Sequence, residues 1–502
     1  MSARRVHAAV LHGVEALPVD IEVSLSGGIP TISIIGMPDS AVLEARTRVR
    51  CALKECGFEI PRLAVTVNLS PADVRKTGTA FDLPIAVGIL AATGQIPTRG
   101  LSELLLLGEL GLHGEVLRPR GTVAYLMLAR DLGLTCAGGF DRAEAAAFGS
   151  DCVPIWDLAH LARGVAALRD APSEGPARTC RAPSPVPDFS EVVDQEAPKR
   201  ACAIAAAGGH GLLMVGPPGA GKTMLARRLP GILPGLTDEE VAQSALIHSV
   251  AGDDIAAIQA RRRPFAAPHH SISVAGLIGG GQPPGPGQVS LAHNGVLFLD
   301  ELPEFSKAAL QALRQPMEEG QVRLVRATGS YVFPSRFQLV GAANPCPCGH
   351  LGDPGHECTC APAGVARYQA KVGGPIMDRI DLVVDVARPS SDRVVRGEEG
   401  TGSRQLAEQV LGAREFASWR ASQVDAGGGA GSGAIAGLWF SGDAAAALTR
   451  TAAALALGGR AVARMARVAR TVADLEQATE VLPRHVAEAA MFRSRDTLGG
   501  EQ

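Results

Sequence analysis

The chain has 502 residues, of which 46% are hydrophobic, 4% aromatic and 20% charged, and at about 150 residues per domain it has room for three packed cores. That apolar share excludes a disordered chain, and 59 glycines without a three-residue period exclude collagen. The 48 Lys and Arg against 51 Asp and Glu leave a net charge of −3, so any nucleic-acid binding has to come from local patches.

No continuous apolar stretch follows Met1-Ser-Ala-Arg-Arg-Val-His7, and no run approaches the ~20 apolar residues that span a bilayer. The expectation is a soluble, cytoplasmic chain without a signal peptide or membrane contact. In the N-terminal part, strand-like and helix-like segments alternate. Ile32-Ser-Ile-Ile-Gly36 and Leu63–Leu69 read as strands, Ser40–Leu53 as a helix of period near 3.6, and Leu83–Ala92 as a buried helix. Residues 171–187 carry five prolines, which remove backbone donors and fix φ, so 169–187 is read as a linker. A glycine-rich stretch at 424–434 is a second break. The breaks delimit an N-terminal domain at 1–168, a central domain at 188–390 and a mostly helical part at 402–502. The last contains Ala444–Leu457, Arg460–Ala473 and Pro483–Arg495, rich in strong helix formers.

The central domain opens on the apolar strand Leu212–Val215 followed by Gly216-Pro217-Pro218-Gly219-Ala220-Gly221-Lys222-Thr223, a complete G-x-x-x-x-G-K-T. Small residues let successive N–H groups turn inward around phosphate oxygens at the start of a helix. Lys222 would reach the β- and γ-phosphates of ATP, and the Thr223 hydroxyl would ligate Mg²⁺. Further on, Gly295-Val-Leu-Phe-Leu-Asp-Glu301 is an apolar strand ending in an acidic pair. Asp300 would hold Mg²⁺ through water and Glu301 would polarise the attacking water; the bland alternative is a strand cap. Alternation on both sides of Ala327-Thr-Gly-Ser330 predicts a β-hairpin carrying Arg323 and Arg326, which are three apart and so need not share a face. The loop-like insertion Arg261-Arg-Arg-Pro-Phe-Ala-Ala-Pro-His-His-Ser271 is also basic, and is either a nucleic-acid contact or a solvated surface loop. Cys346, Cys348, Cys358 and Cys360 fall in a Pro/Gly-rich loop, with His350 and His356 as spare ligands. Four thiolates match a structural Zn²⁺ shell in type and number, the other reading being buried or redox-active thiols.

The chain resembles the ComM/YifB family of magnesium-chelatase-like AAA+ ATPases along nearly its whole length. The strings that carry the resemblance are Ile34-Ile-Gly-Met-Pro-Asp-Ser-Ala-Val42, Asn68-Leu-Ser-Pro-Ala-Asp-Val-Arg-Lys76, Phe81-Asp-Leu-Pro-Ile-Ala-Val-Gly88, Arg263–Ser271, Gly295–Phe305, Asn344-Pro-Cys-Pro-Cys-Gly349 and Val468–Leu475. The resemblance implies an α/β multidomain protein with a Lon-protease/ribosomal-S5-like α+β N-terminal domain, an AAA+ P-loop core and a C-terminal helical lid. It implies that the strand Phe337–Asn344 lies between the two strands above, with Asn344 orienting the lytic water. It makes Arg379, in Gly374-Pro-Ile-Met-Asp-Arg-Ile-Asp381, an arginine finger acting on a neighbouring subunit, and Arg460 a γ-phosphate ligand; for a lone arginine the alternative is a solvated surface. A finger in trans implies a ring, most simply a homo-hexamer. The hairpin of Arg323 and Arg326 would face the pore and touch a phosphate backbone. The family's best-described activity is branch migration of DNA recombination intermediates, with recombination proteins as further partners. The alternative is a chelatase- or chaperone-like motor remodelling a protein. Lon-type peptidase sites need a Ser where Gly78-Thr-Ala80 has Ala80, and Glu115–Tyr125 holds no Lys, so no peptidase activity is expected.

Overall fold

Strands β1 (Arg4–His12) and β2 (Glu15–Ser26) pair antiparallel from Arg4 opposite Val23 to His12 opposite Glu15. Around this hairpin the N-terminal domain builds a seven-stranded mixed sheet of order β3-β4-β2-β1-β5-β6-β7. Its other strands are β3 (Thr31–Ile35), β4 (Ala64–Ser70), β5 (Leu104–Leu107), β6 (Thr135–Gly138) and β7 (Cys152–Pro154). In this computed structural model the described residues are 4–169, 185–326, 329–353, 355–372, 376–396, 400–427 and 435–493. Most of the expected linker at 169–187 and residues 428–434 of the glycine-rich break therefore lie outside them.

Both faces of the N-terminal sheet are covered. Side chains alternate along a strand, so Val6, Ala8 and Val10 of β1 enter one core while Ala9 enters another. The run Leu104-Leu-Leu-Leu107 divides the same way, Leu104 and Leu106 to one side and Leu105 and Leu107 to the other. Helices α1 (Ser40–Glu55) and α2 (Asp82–Ala92) cover the first face and α3 (Thr122–Leu132) the second. Asp39 caps α1 by accepting from the Val42 N–H at 2.9 Å. Helix α2 is buried from Asp82 to Ala91, as its all-round apolar sequence predicts.

The central domain begins with α4 (Glu196–Gly208) and contains a five-stranded parallel sheet. Its strands are β8 (Leu212–Val215), β9 (Phe265–Ala266), β10 (Gly295–Leu299), β13 (Phe337–Ala343) and β14 (Leu382–Asp385), in the order β9-β10-β13-β8-β14. Strand β13 thus lies between the phosphate-loop strand and the acidic strand, where the resemblance placed it. Leu212 and Met214 of β8 face α4 and the lid, whereas Leu213 and Val215 face the opposite core. The hairpin forms from β11 (Gln321–Arg326) and β12 (Gly329–Pro334), with Arg323 opposite Val332; its turn residues 327–328 lie outside the described set.

The C-terminal part is helical: α8 (Ser403–Gly427), α9 (Gly442–Ala454), α10 (Gly459–Leu475) and α11 (Pro483–Met491), preceded by α7 (Pro362–Ala370) of the central domain. Helix α8 runs past 424, where the glycine-rich break was expected to begin, because the consecutive glycines start only at Gly427. Ser494 and Arg495, at the expected end of α11, lie outside the described residues. The apolar stripe Met465, Val468, Ala469 and Val472 of α10 packs into the core shared with β8 and β13. Among the described residues the N-terminal domain meets the central one at two places. Helix α3 lies on α6 (Asp238–Ala251), where the Gly121 N–H donates to the Ser249 carbonyl at 2.9 Å. The turn joining β1 and β2 lies on the hairpin, with the His12 ring stacked on Tyr331 at 4.4 Å.

Candidate functional site

Strand β8 stops at Val215, and the chain turns through Gly216–Gly221 into α5 (Lys222–Arg228). A Cβ at Gly216 would lie 2.1 Å from the Val386 carbonyl oxygen, so only glycine fits there. Gly219 and Gly221 have φ of +78° and +94°, the left-handed region that glycine adopts without strain. Around these two glycines there is open space, leaving the inner side of the turn clear. Lys222 is only 9% exposed. Its Nζ donates to the Gly216 carbonyl at 2.6 Å, the Pro217 carbonyl at 3.0 Å and Asn344 Oδ1 at 3.0 Å. Burial pushes the Lys222 pKa below its ordinary value, and the negative charges of Asp300 and Glu301 oppose that shift.

The Thr223 hydroxyl donates to Asp300 Oδ2 at 2.7 Å, and Asp300 Oδ1 accepts the Glu301 N–H at 3.0 Å. The parallel register accounts for this meeting: β8, β13 and β10 are neighbours, and their C-terminal ends deliver Lys222, Asn344 and Asp300 to one edge of the sheet. A hydroxyl and a carboxylate side by side, next to a glycine loop and a desolvated lysine, are the donor set that Mg·ATP requires. The residues fit that group.

Glu301 has φ +51° and ψ 46°, a left-handed conformation unusual for a non-glycine residue, and its side chain is 54% exposed. Its Oε2 lies 3.1 Å from Nδ1 of His270. Sequence reasoning placed His270 in a basic loop and missed this contact. The signal was the position of the Pro-His-His segment just after a strand that turns out to be β9, the neighbour of β10. Two arginines of the same loop, read as either a nucleic-acid contact or a solvated surface, are engaged within the domain. Arg261 donates to the Leu236 carbonyl at 2.8 Å and pairs with Asp238, and Arg263 donates to the Pro234 and Asn294 carbonyls at 2.7 Å and pairs with Glu240. These two guanidiniums tie the loop down.

Arg379 and Arg460 do not join the phosphate edge. Arg379 ends a 3₁₀ turn just before β14, and its Nη2 lies 3.3 Å from Glu318 Oε1. It borders a cleft of about 320 Å³ with Gly211, Met317, Arg336 and Asp378. Gly211 precedes β8, so this cleft is at the N-terminal end of the strands, a strand length of ~13 Å from the phosphate loop. Arg460 lies exposed in the first turn of α10. Among the described residues neither arginine hydrogen-bonds to Gly216–Thr223. One turn along α10, Arg464 donates to the Met377 carbonyl at 3.1 Å and reaches Asp378, so it is Arg464 that ties the lid to the Arg379 turn.

The four cysteines converge. Cys346 Sγ lies 3.4 Å from Cys348 Sγ and 3.7 Å from Cys358 Sγ, Cys348 and Cys358 are 3.6 Å apart, and all four sulfurs fall within 4.8 Å of one another. Backbone N–H groups of His350 and Thr359 hold the Cys348 thiol down to about 5. His350 and His356, read as spare ligands, gather around Asp353 next to the sulfurs. Their rings stack at 4.8 Å and their Nδ1 atoms face Asp353, at 3.3 and 3.5 Å, where Arg388 also pairs at 3.4 Å. His350, Asp353 and His356 thus form a second group of potential metal ligands beside the sulfur set, with Arg388 Nη1 3.1 Å from His356 Nδ1.

Arg323 and Arg326 are both exposed on β11, on opposite faces of the hairpin as their odd spacing requires. In the N-terminal domain Ala80 is buried in the core behind β5. The nearby Lys76 is fully buried, with its Nζ donating to the Pro71 carbonyl.

Comparison with known proteins adds relatives to this geometry. The family model described as subunit ChlI of Mg-chelatase matches residues 21–136, that of magnesium chelatase, subunit ChlI, matches 188–394, and that of its C-terminal part matches 400–493. The chain is 40% identical to YifB of Escherichia coli K12 over 519 aligned residues, covering 99% of this chain and 98% of that protein. It is 39% identical to YifB of Salmonella typhimurium over 508 residues, covering 99% and 98%. It is also 39% identical to the competence protein ComM of Haemophilus influenzae over 503 residues, covering 98% of each chain.

Proposed function

From a chain that belongs to the magnesium-chelatase ChlI-like family of AAA+ ATPases, with YifB and ComM among its relatives, we propose a ring-forming motor that hydrolyses ATP to move DNA, specifically to drive branch migration of recombination intermediates. The observation that carries the motor reading is the division of the site between two edges of one sheet. Lys222, Thr223, Asp300 and Asn344 meet at one edge, and Arg379 stands at the other. An arginine that cannot reach its own nucleotide suits a neighbour's, so the complete site forms at a head-to-tail junction that closes into a ring, most simply a hexamer.

In this reading the loop amides and Lys222 hold the phosphates, with Thr223 and Asp300 at the magnesium ion. Glu301 takes the proton of the attacking water and Asn344 orients that water. Arg379 of the adjacent subunit and Arg460 of the lid neutralise charge on the transferring phosphoryl group. Arg323 and Arg326 contact the DNA backbone, and the four cysteines hold a structural zinc ion. DNA as substrate is supported by the similarity to a competence protein and by two exposed arginines on the hairpin. A second reading, a motor that remodels a protein partner, is favoured by the contact of the N-terminal domain with that hairpin, where His12 Nε2 lies 3.2 Å from the Ser330 carbonyl.

ATP turnover with and without forked DNA, measured across salt concentrations, separates the two. The proposal expects stimulation by forked DNA that declines steeply with salt, because phosphate contacts release counterions. Indifference to DNA, with stimulation by a protein partner, would replace it with the second reading.

A further inference from the structure

Asn344 directly follows the last residue of β13, and Cys346 comes two positions later. The side chain of Asn344 accepts from Lys222 at 3.0 Å. The next carbonyl, of Pro345, accepts from Gln369 Nε2 at 3.0 Å. That bond holds the polypeptide from the α7 side. On the other side its support, among the described residues, is the cysteine loop. Cys346 is completely buried there and its sulfur accepts the Leu351 N–H at 3.3 Å, while the Cys348 N–H donates to Cys360 Sγ at 3.4 Å.

That loop also touches the phosphate loop. Gly349, buried and with φ +84°, sits against Pro218 so closely that a Cβ there would lie 2.7 Å from Pro218 Cδ and 3.9 Å from Asn344 Cγ. One small turn therefore supports the water-orienting amide and the outer wall of the nucleotide loop together. The separations of 3.4–3.7 Å among Cys346, Cys348 and Cys358, with Cys360 within 4.8 Å, approach those of a filled shell, since four sulfurs at about 2.3 Å from a tetrahedral ion stand about 3.8 Å apart. Four thiols gathered within 4.8 Å without a cation have little to hold them together, and any that ionise repel.

We propose that the four cysteines bind a thiophilic divalent ion, zinc by its ligand chemistry, and that the filled turn is a positioning device for Asn344 and Pro218. Metal occupancy then sets the rate of hydrolysis and leaves nucleotide affinity nearly unchanged. The inference rests on the reading of Asn344 as the residue that orients attacking water. Affinity is largely spared because the turn touches only the outer wall at Pro218, whereas the phosphate-facing side of the loop, Gly219 to Thr223, takes its shape from β8, α5 and the two left-handed glycines.

The test uses the full-length protein. Elemental analysis is expected to find one zinc per chain. A mercurial thiol reagent with a chromogenic chelator removes and counts the ion; after thiol regeneration the metal-free protein is expected to lose roughly 10- to 100-fold in kcat. The Kd for a fluorescent ATP analogue is expected to stay within about threefold, and adding zinc back restores turnover. Gly349→Val provides an arm that keeps all four ligands: zinc content stays near wild type and melting temperature drops because φ +84° strains a β-branched residue, while kcat falls because the new side chain displaces Pro218 and Asn344. Protein purified without zinc, or metal-free protein with full turnover, overturns the proposal. So does a rise in Kd with kcat unchanged, or a Gly349→Val protein of wild-type turnover. A wild type that holds zinc and binds ATP but hydrolyses none overturns the reading of Asn344 itself, and the positioning role falls with it.

Discussion

Lys222 shows how much one side chain carries at this site. Its ammonium is nearly closed off from water and has three oxygen partners, so Lys222→Ala removes a phosphate ligand and strands Asn344 Oδ1. Titration with a fluorescent ATP analogue is expected to show a loss of about 3 kcal/mol, roughly a hundredfold in Kd. Glu301→Gln keeps the shape of the carboxylate and removes its basicity. Its kcat is expected to fall by roughly 10²- to 10⁴-fold with ATP still bound, and turnover equal to wild type would overturn the assignment. His270 holds the same carboxylate from the side at 3.1 Å. His270→Ala is expected to lower kcat about tenfold with KM little changed, and His270→Asn, which restores a donor, to recover most of it. The residues differ in how legible they were. Lys222, Thr223 and Asp300 sit in contiguous strand–loop motifs whose chemistry is local. His270 meets Glu301 only because β9 pairs with β10, and nothing in its immediate neighbours says so.

At the scale of elements, the alternation of apolar residues located strands and helices to within a few positions. It did not say what the charges between them would meet. Arg261 and Arg263, read as either a nucleic-acid contact or a solvated loop, also bind backbone carbonyls and carboxylates, contacts that depend on elements far away in sequence. His293, in the approach to β10, is a similar case. The Arg336 N–H donates to its Nδ1 at 3.0 Å, which requires a neutral ring. Burial, aided by the positive charge of Arg336, pushes its pKa down to about 4. The unfolded chain takes up that proton near pH 6.5 and the folded chain does not, so this contribution to stability is complete above pH 6.5 and declines as pH falls towards 4. Urea unfolding at pH 7 and pH 5 is expected to show about 2 kcal/mol more loss for the wild type than for His293→Gln. Equal losses would show that the ring titrates alike in both states.

For the whole molecule the decisive feature is the separation of Arg379 from the phosphate edge. Arg379→Ala is expected to bind ATP normally and to lose turnover by roughly 10³-fold, as a finger supplied in trans does. Lys222→Ala and Arg379→Ala proteins, each inactive, are expected to recover turnover when mixed, because about one junction in four then unites an intact loop with an intact finger. A lone protomer hydrolysing at full speed, by sedimentation and rate together, would remove the ring and the motor with it. The contact of the N-terminal domain with the hairpin also belongs to this scale: His12 on Tyr331 joins parts that are remote in sequence.

By itself the amino-acid sequence determined the phosphate loop, the acidic strand end, the cysteine set, the helical C-terminal part and the kinship of the chain, because each rests on residue types at short spacing and on apolar period. Only the tertiary structure decided which edge of the sheet Arg379 occupies, which carboxylate His270 holds, that His350 and His356 turn to Asp353, and that the cysteine turn lies under Pro218 and Asn344. Those facts come from strand order and from side chains meeting across elements, and they depend on distances that local sequence does not encode.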